Sequence, residues 1–352
     1  MKLWEKNIRV IEPYVPGEQP KVHNVIKLNT NENPYPPAPE VEQAKEKFNT
    51  DLLRLYPDPD ASVLTEELAK FYGLKKENFF VGVGSDDVIS VAFQTFFNSD
   101  KPIMFPEVTY SFYSVWADMY RIKYECPKLG ENFSIKAEDY YKENGGVIFP
   151  NPNAPTGVLE SLDFVEDILQ HNQDVIVIVD EAYIDFGGKS AIELLDKYEN
   201  LLVVQTFSKA RSMAGMRIGY AIGNPVLINA MNSVKFSVNS YTMNQTSLEI
   251  GSKVIANRAY FEETLAKIIN TRENTKVKLS ELGFIFPDSK SNFIFATHEK
   301  YSAKEIFEYL KTKNIFVRYF NTPGIDNYLR ITIGTDEQMD KLFEAVTEFM
   351  EK

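Results

Sequence analysis

A single cysteine, Cys126, excludes an intrachain disulfide framework in this 352-residue chain and predicts a reducing, cytoplasmic setting. Cys126 stands next to Pro127 and reads as a partly buried thiol rather than a nucleophile. Basic residues are in deficit: 38 Lys and Arg against 50 Asp and Glu, a net charge of −12. That balance argues against nucleic acid or an anionic membrane as the main partner. No apolar run is long enough to span a bilayer, and the first residues lack a secretory apolar region. The three histidines, His23, His171 and His298, are scattered without metal-ligand spacing, so no metal site is expected. Internal repeats, low-complexity tracts and a G-x-x-x-x-G-K-[ST] phosphate loop are all missing.

What is present is an alternation of short apolar runs and helical patterns. Residues 1 to about 40, rich in Pro and Asn, predict an extended arm. Helices are expected over 62–72, with Ser62 as N-cap, and over 86–97. Strands are expected over 79–83, 103–105, 146–149, 175–179 and 201–204. Strands separated by helices imply βαβ units and a mostly parallel sheet. A long polar helical pattern follows over 246–282. Strands over 292–295, 315–318 and 328–333, a helix over 303–312 and a terminal helix then suggest a smaller α+β unit.

The densest chemistry lies between residues 175 and 217. The run Val175-Ile176-Val177-Ile178-Val179 ends on Asp180-Glu181-Ala182-Tyr183. The run Leu201-Leu202-Val203-Val204 ends on Thr206-Phe207-Ser208-Lys209, with Arg217 following. In open α/β sheets ligands sit at the carboxyl ends of the strands. Lys209 is a candidate nucleophile, since a lysine amine condenses with carbonyls. Asp180 closes a buried strand, where an unpaired carboxylate costs several kcal/mol, so it needs a cation or donor. A protonated pyridine nitrogen meets that need and makes the ring an electron sink. Tyr183 is placed to bond a ring oxygen, and Ser208 and Arg217 to hold a phosphate. Two other readings exist: an ATPase acidic strand, which the absent phosphate loop weakens, and a core ion pair of Asp180 with Arg217.

Gly82-Val83-Gly84-Ser85-Asp86-Asp87 joins a strand to a helix, an arrangement that offers free amides and a positive dipole end to an anion. Ser85 and the amide of Asp86 are the candidate contacts. Tyr110 follows another strand and either stacks on a planar ring or fills the core. Asn151-Pro152-Asn153-Ala154-Pro155-Thr156-Gly157 forms either a plain turn or one whose amides reach the ring oxygen. Arg330 interrupts an alternating strand, as an edge charge or as an inward anion clamp. Arg318 follows the same argument.

These residues place the chain in a known group. It resembles fold-type I pyridoxal-phosphate aminotransferases over nearly its full length, most closely the histidinol-phosphate aminotransferase family. The matching segments are 28–34 (Leu-Asn-Thr-Asn-Glu-Asn-Pro), 54–57, 153–157, 180–183, 206–210, 215–219 and 329–334. The resemblance implies a large pyridoxal-phosphate domain over 40–240, built on a mostly parallel seven-stranded sheet flanked by helices. It also implies an N-terminal arm over 1–39, a small α+β domain over 241–352 and a homodimer with active sites at the subunit interface. It assigns Lys209 to covalent attachment of pyridoxal 5′-phosphate and to proton transfer at the substrate Cα. Asp180 would pair with the ring nitrogen, Tyr183 bond the ring oxygen and Tyr110 stack. Ser85, Asp86, Thr206, Ser208 and Arg217 would surround the phosphate, with Tyr56 reaching in from the other subunit. Tyr14, Asn31, Tyr56, Arg318 and Arg330 would meet the anionic small-molecule substrate. One departure stands out: the family usually has asparagine where this chain has Ala154, and Asn153 is the candidate substitute. The implied reaction exchanges an amino group between histidinol phosphate and 2-oxoglutarate. Threonine-phosphate decarboxylation and a broad or aromatic aminotransferase are the alternatives.

Overall fold

The computed structural model describes residues 2–21 and 24–352; His23 lies outside them. In chain order the strands are β1 (Ile26–Leu28), β2 (Phe79–Gly82), β3 (Ile103–Met104), β4 (Tyr124–Glu125), β5 (Val147–Pro150), β6 (Val177–Asp180), β7 (Leu201–Thr206), β8 (Gly219–Gly223), β9 (Phe284–Ile285), β10 (Phe293–His298), β11 (Ile315–Tyr319) and β12 (Leu329–Thr332). Seven of them form one sheet in the order β2-β8-β7-β6-β5-β3-β4, parallel except for β8, which runs antiparallel to both neighbours. Its central strands β5, β6 and β7 are buried at every position, because helices cover both faces. One layer of core gathers Leu64, Val177, Val179 and Leu248 on one face; Val88, Phe93, Ile178 and Val204 fill the other.

The second sheet has the order β1-β11-β12-β10-β9. Residues 26–28, expected within an extended arm, form β1 and pair in parallel with β11. The core under this sheet also takes in Ala154, Tyr183, Phe186 and Ala210 from the strand ends of the large sheet. The buried Arg272 ties the two halves further, donating to the carbonyls of Phe186 (2.7 Å) and Ser291 (3.0 Å).

Local differences from the sequence reading have clear causes. The helix Ser62–Tyr72 begins as expected, but Ser62 is its first turn rather than its cap. Ala61 occupies the cap position with φ 52°, and the Asp58 carboxylate accepts the Ser62 N–H at 2.8 Å. The long helical pattern splits into Gln245–Ala256 and Arg258–Glu281 at Asn257, whose side chain accepts the Tyr260 N–H and starts the second helix. Strand β8 escaped the reading because glycines flank its short apolar run. Cys126 is exposed rather than partly buried. Among the described residues, no helix is long and apolar enough to cross a membrane.

Candidate active site

The carboxyl ends of β5, β6 and β7 meet the small sheet, and the predicted residues gather there. Asp180 is buried. Its Oδ2 accepts the Tyr113 hydroxyl at 2.8 Å and its Oδ1 accepts the Ala182 N–H at 3.2 Å. Burial pushes its carboxyl up from 3.8 to about 6, against these two donors and the nearby Lys209. The next residue, Glu181, faces the other way and belongs to a separate network. It accepts from Ser190 (2.6 Å), the Ala191 N–H (2.6 Å) and Gln205 (2.8 Å).

Lys209 Nζ donates to the Thr30 carbonyl at 3.2 Å and lies 5.6 Å from the centroid of the Tyr183 ring. The Tyr183 hydroxyl accepts from Asn31 Nδ2 at 2.8 Å. Asn31 is buried with φ 57°, a conformation asparagine tolerates, and is held from the small sheet. The Thr332 hydroxyl meets both its N–H and its Oδ1 at 3.0 Å, and Asn292 donates to its carbonyl at 3.0 Å. Asn33 fixes the far side by donating to the Lys209 and Ala210 carbonyls.

An anion cradle lies beside them. The helix Ser85–Phe96 starts directly after Gly84, whose φ is 84°. A Cβ on Gly84 would lie 2.5 Å from Arg217 Nη2, so only glycine lets the guanidinium reach the helix start. Gly219 has the same function from below: its Cβ would fall 2.3 Å from the Ser85 nitrogen. Thr206 Oγ1 accepts the Ser208 N–H at 3.1 Å and sits 3.0 Å from Ser208 Oγ, which orients that hydroxyl. Asp86 contributes a side chain as well as the expected amide. Its Oδ2 pairs with Arg217 at 3.1 Å and its Oδ1 accepts the Tyr110 hydroxyl at 2.7 Å. Arg217 therefore pairs with Asp86, and the core ion pair with Asp180 does not form.

Arg318 and Arg330 are register partners on β11 and β12. Like charges directly opposite one another repel, so the pair favours an anion between or above them. Arg330 Nη2 donates to the Asn29 carbonyl at 3.0 Å while its Nε is buried without a partner among the described residues. Arg318 donates to the carbonyls of Val15 (3.2 Å) and Pro16 (3.4 Å). Tyr14 stacks on Phe112 with centroids 4.2 Å apart; burial raises its phenol pKa, opposed by Arg330 and Arg318. Consecutive residues thus meet consecutive parts of the site: Asn29 meets Arg330, Thr30 meets Lys209 and Asn31 meets Tyr183.

Two predicted residues stand apart. Tyr56 is 81% exposed and stacks on Tyr241 (4.6 Å), outside this chain's own cluster. Asn153 is buried, but its amide is consumed by protein partners: Nδ2 donates to Val108 O (3.0 Å) and Thr156 Oγ1 (3.1 Å), and Oδ1 accepts from Thr109 (3.2 Å). It keeps no free N–H for a ring oxygen, which corrects the expectation that it substitutes at Ala154. The sequence reading missed Tyr113, Thr30, Asn33, Asn292 and Thr332. A signal existed for two of them. Tyr113 lies three residues beyond Tyr110, and Thr332 shares the face of Arg330 two residues away.

The donor set fits pyridoxal phosphate. Asp180 supplies a buried carboxylate for a ring cation, Lys209 an amine, and Gly84, Ser85, Ser208 and Arg217 a phosphate cradle. Fold and site together define a fold-type I pyridoxal-phosphate-dependent transferase. The model of the aminotransferase class I and II family matches residues 23–346, and the chain belongs to that family. It is 49% identical over 345 residues to a histidinol-phosphate aminotransferase of Clostridium beijerinckii, covering 98% of this chain and 96% of that one. It is 51% identical over 337 residues to one of Brachyspira hyodysenteriae, covering 96% and 95%. In fold it is similar to a histidinol-phosphate aminotransferase from Sinorhizobium meliloti in complex with pyridoxal-5'-phosphate. That likeness has a TM-score of 0.83 at 23% identity and covers 93% of this chain and 91% of the other.

Proposed function

We propose that this protein is a pyridoxal-phosphate-dependent aminotransferase exchanging an amino group between L-histidinol phosphate and 2-oxoglutarate, giving imidazole-acetol phosphate and glutamate. The observation that carries this reading is the facing Arg318–Arg330 pair, whose Arg330 donates to Asn29 in the same three-residue stretch that meets Lys209 and Tyr183. Both substrate partners are anions, so one arginine cluster serves each in turn. Relatives at about half identity over the whole chain carry the histidinol-phosphate aminotransferase name.

The bound cofactor supplies an electron sink that stabilises negative charge developing at the substrate Cα. Asp180, ionised, would hold the ring nitrogen protonated. Tyr183, its oxygen accepting from Asn31, keeps its own proton to donate to the ring oxygen. Tyr110, anchored through its hydroxyl to Asp86, would cover one ring face. Ser85, the Asp86 amide, Thr206, Ser208 and Arg217 fix the phosphate. Lys209 Nζ would hold the cofactor and, once its amine is freed by the substrate amine, would accept the proton from the substrate Cα. Arg330, with Arg318, Tyr14 and Asn31, orients the substrate anion so that its Cα faces Lys209.

The protein acts as a homodimer in a cytoplasmic setting. Tyr56, exposed beside Leu53, Leu55 and Tyr241, reaches the partner's phosphate cradle. Sedimentation at enzyme concentrations in the assay tests this; a monomer with full activity overturns it. The substrate is tested by mixing cofactor-loaded enzyme separately with histidinol phosphate, threonine phosphate, phenylalanine and glutamate. The cofactor spectrum and carbon dioxide release are followed together. Histidinol phosphate and glutamate should convert the spectrum without gas. No response to histidinol phosphate refutes the substrate, and carbon dioxide from threonine phosphate identifies a decarboxylase.

A further inference from the structure

Tyr113 has no place in the roles above, yet it is fully buried and its hydroxyl meets the one carboxylate that the cofactor ring needs. It lies in the helix Phe112–Tyr120, walled by aromatic rings: Tyr110 edge-on at 5.7 Å, Phe105 edge-on at 5.8 Å, and Phe93 and Trp116 each at 6.4 Å. Such a slot needs only a hydrophobic ring, and phenylalanine would fill it. A buried hydroxyl is costly unless it is bonded, and this one has its bond at Asp180 Oδ2. The bond fixes one carboxylate oxygen, and the Ala182 N–H fixes the other.

We infer that Tyr113 is a positioning residue, holding Asp180 ionised and oriented for the ring nitrogen of the cofactor through its hydroxyl. The inference rests on the cofactor reading and is independent of which substrate is used. The groups around Asp180 define the balance. Burial and the Asp86 carboxylate favour the neutral acid; Tyr113, the Ala182 N–H and Lys209 favour the anion. Tyr110, edge-on to Tyr113, and Tyr183 are the other ionisable groups near enough to act on it. A hydrogen bond donated to the charged form favours it. Without the hydroxyl, the carboxyl stays protonated to higher pH, and a neutral acid neither holds the ring cation nor keeps its plane fixed.

The test is Tyr113→Phe in the full chain, alone and combined with Asp180→Asn. Binding of pyridoxal phosphate without substrate, followed by its absorbance, should weaken about tenfold or more, the size of one hydrogen bond to a charged group. In the cofactor-free chain, carbon-13 NMR of the aspartates should move the Asp180 titration midpoint upward by about one unit. With substrate, kcat should fall more than KM rises. In the Asp180→Asn background, removing the hydroxyl should change cofactor binding less than about twofold, because the carboxylate charge it holds is gone. A purely structural role would lower thermal stability equally in both backgrounds and leave the titration midpoint alone. Unchanged cofactor binding with an unmoved midpoint overturns the inference, as does a full additive loss in the double variant. Failure of the substrate assignment leaves all three cofactor readouts intact.

Discussion

The large sheet delivers Asp180, Tyr183, Ser208 and Lys209 from the ends of its own strands, whereas the small sheet's Arg318 and Arg330 depend on chain from the other end of the molecule. The first group is local: each residue lies within a few positions of the last residue of β6 or β7. The second is assembled: Arg330 meets Asn29, Arg318 meets Val15 and Pro16, and Tyr14 rests on Phe112. A strand end fixes a side chain by backbone geometry alone, while an assembled cluster needs three distant segments to arrive together. The first group is therefore set mainly by the ends of β6 and β7. The arm also touches the first group, because Thr30 accepts from Lys209 and Asn31 donates to Tyr183, so only the segment before Asn29 is free to retune the second group alone.

The largest expected effect breaks the local half. Lys209→Ala should lower turnover by at least about 10³-fold, since it removes both the nucleophile and the proton carrier. Steady-state assays check this, and substantial residual transamination refutes the assignment. On the assembled side, Arg330→Met should raise KM for the anionic substrate about 10–100-fold, as expected for a lost charge-assisted bond. It should leave the absorbance of bound cofactor unchanged. Its folding stability should stay within about 1 kcal/mol, because loss of the Asn29 bond is offset by relief of the Arg318 repulsion. An equal loss of cofactor binding would show that the two halves are not separable.

A pH experiment sharpens the contrast. The folded-state carboxyl of Asp180 is raised from 3.8 to about 6, so the folded chain binds this proton more tightly than the unfolded one. In the cofactor-free protein its stabilising contribution is full below the unfolded value and is lost as pH rises through about 6. Asp180→Asn should flatten that fall by up to about 3 kcal/mol in denaturant titrations across this window. An unchanged profile would mean that the carboxylate is solvated. The smallest effect concerns Asn153→Ala. Its amide ties its turn to Val108 and Thr109, so cofactor absorbance and its pH dependence should not move. Stability should fall about 1–2 kcal/mol in chemical unfolding.

Much of the large sheet is legible in the order of residues along the chain. Buried β-branched runs ending on Asp180 and on Ser208-Lys209 predict parallel strands and a ligand at their ends. The helix start at Ser85 and the glycines before it predict an anion cradle. Asp86 was half legible: its amide follows from the helix start, but its side chain pairs with Arg217 and Tyr110 only because both are brought to it. Asn153 neighbours Ala154 in sequence, but its amide is taken up by Val108, Thr109 and Thr156. Strand β1 hid in a proline-rich arm, since a three-residue strand is defined by its partner rather than by its composition.

By itself, the sequence determined the strand–helix alternation, the apolar centre of the large sheet and the types of group at its strand ends. Those follow from short-range rules of burial and backbone geometry. The tertiary structure alone decided that Asn31 would bond Tyr183, that Tyr113 would donate to Asp180 and that two arginines would stand opposite one another across a strand pair. Each of those pairs spans from 12 to 152 residues of chain. No local preference encodes such a pairing; it exists because buried donors and acceptors must find one another when the two sheets close on a common core.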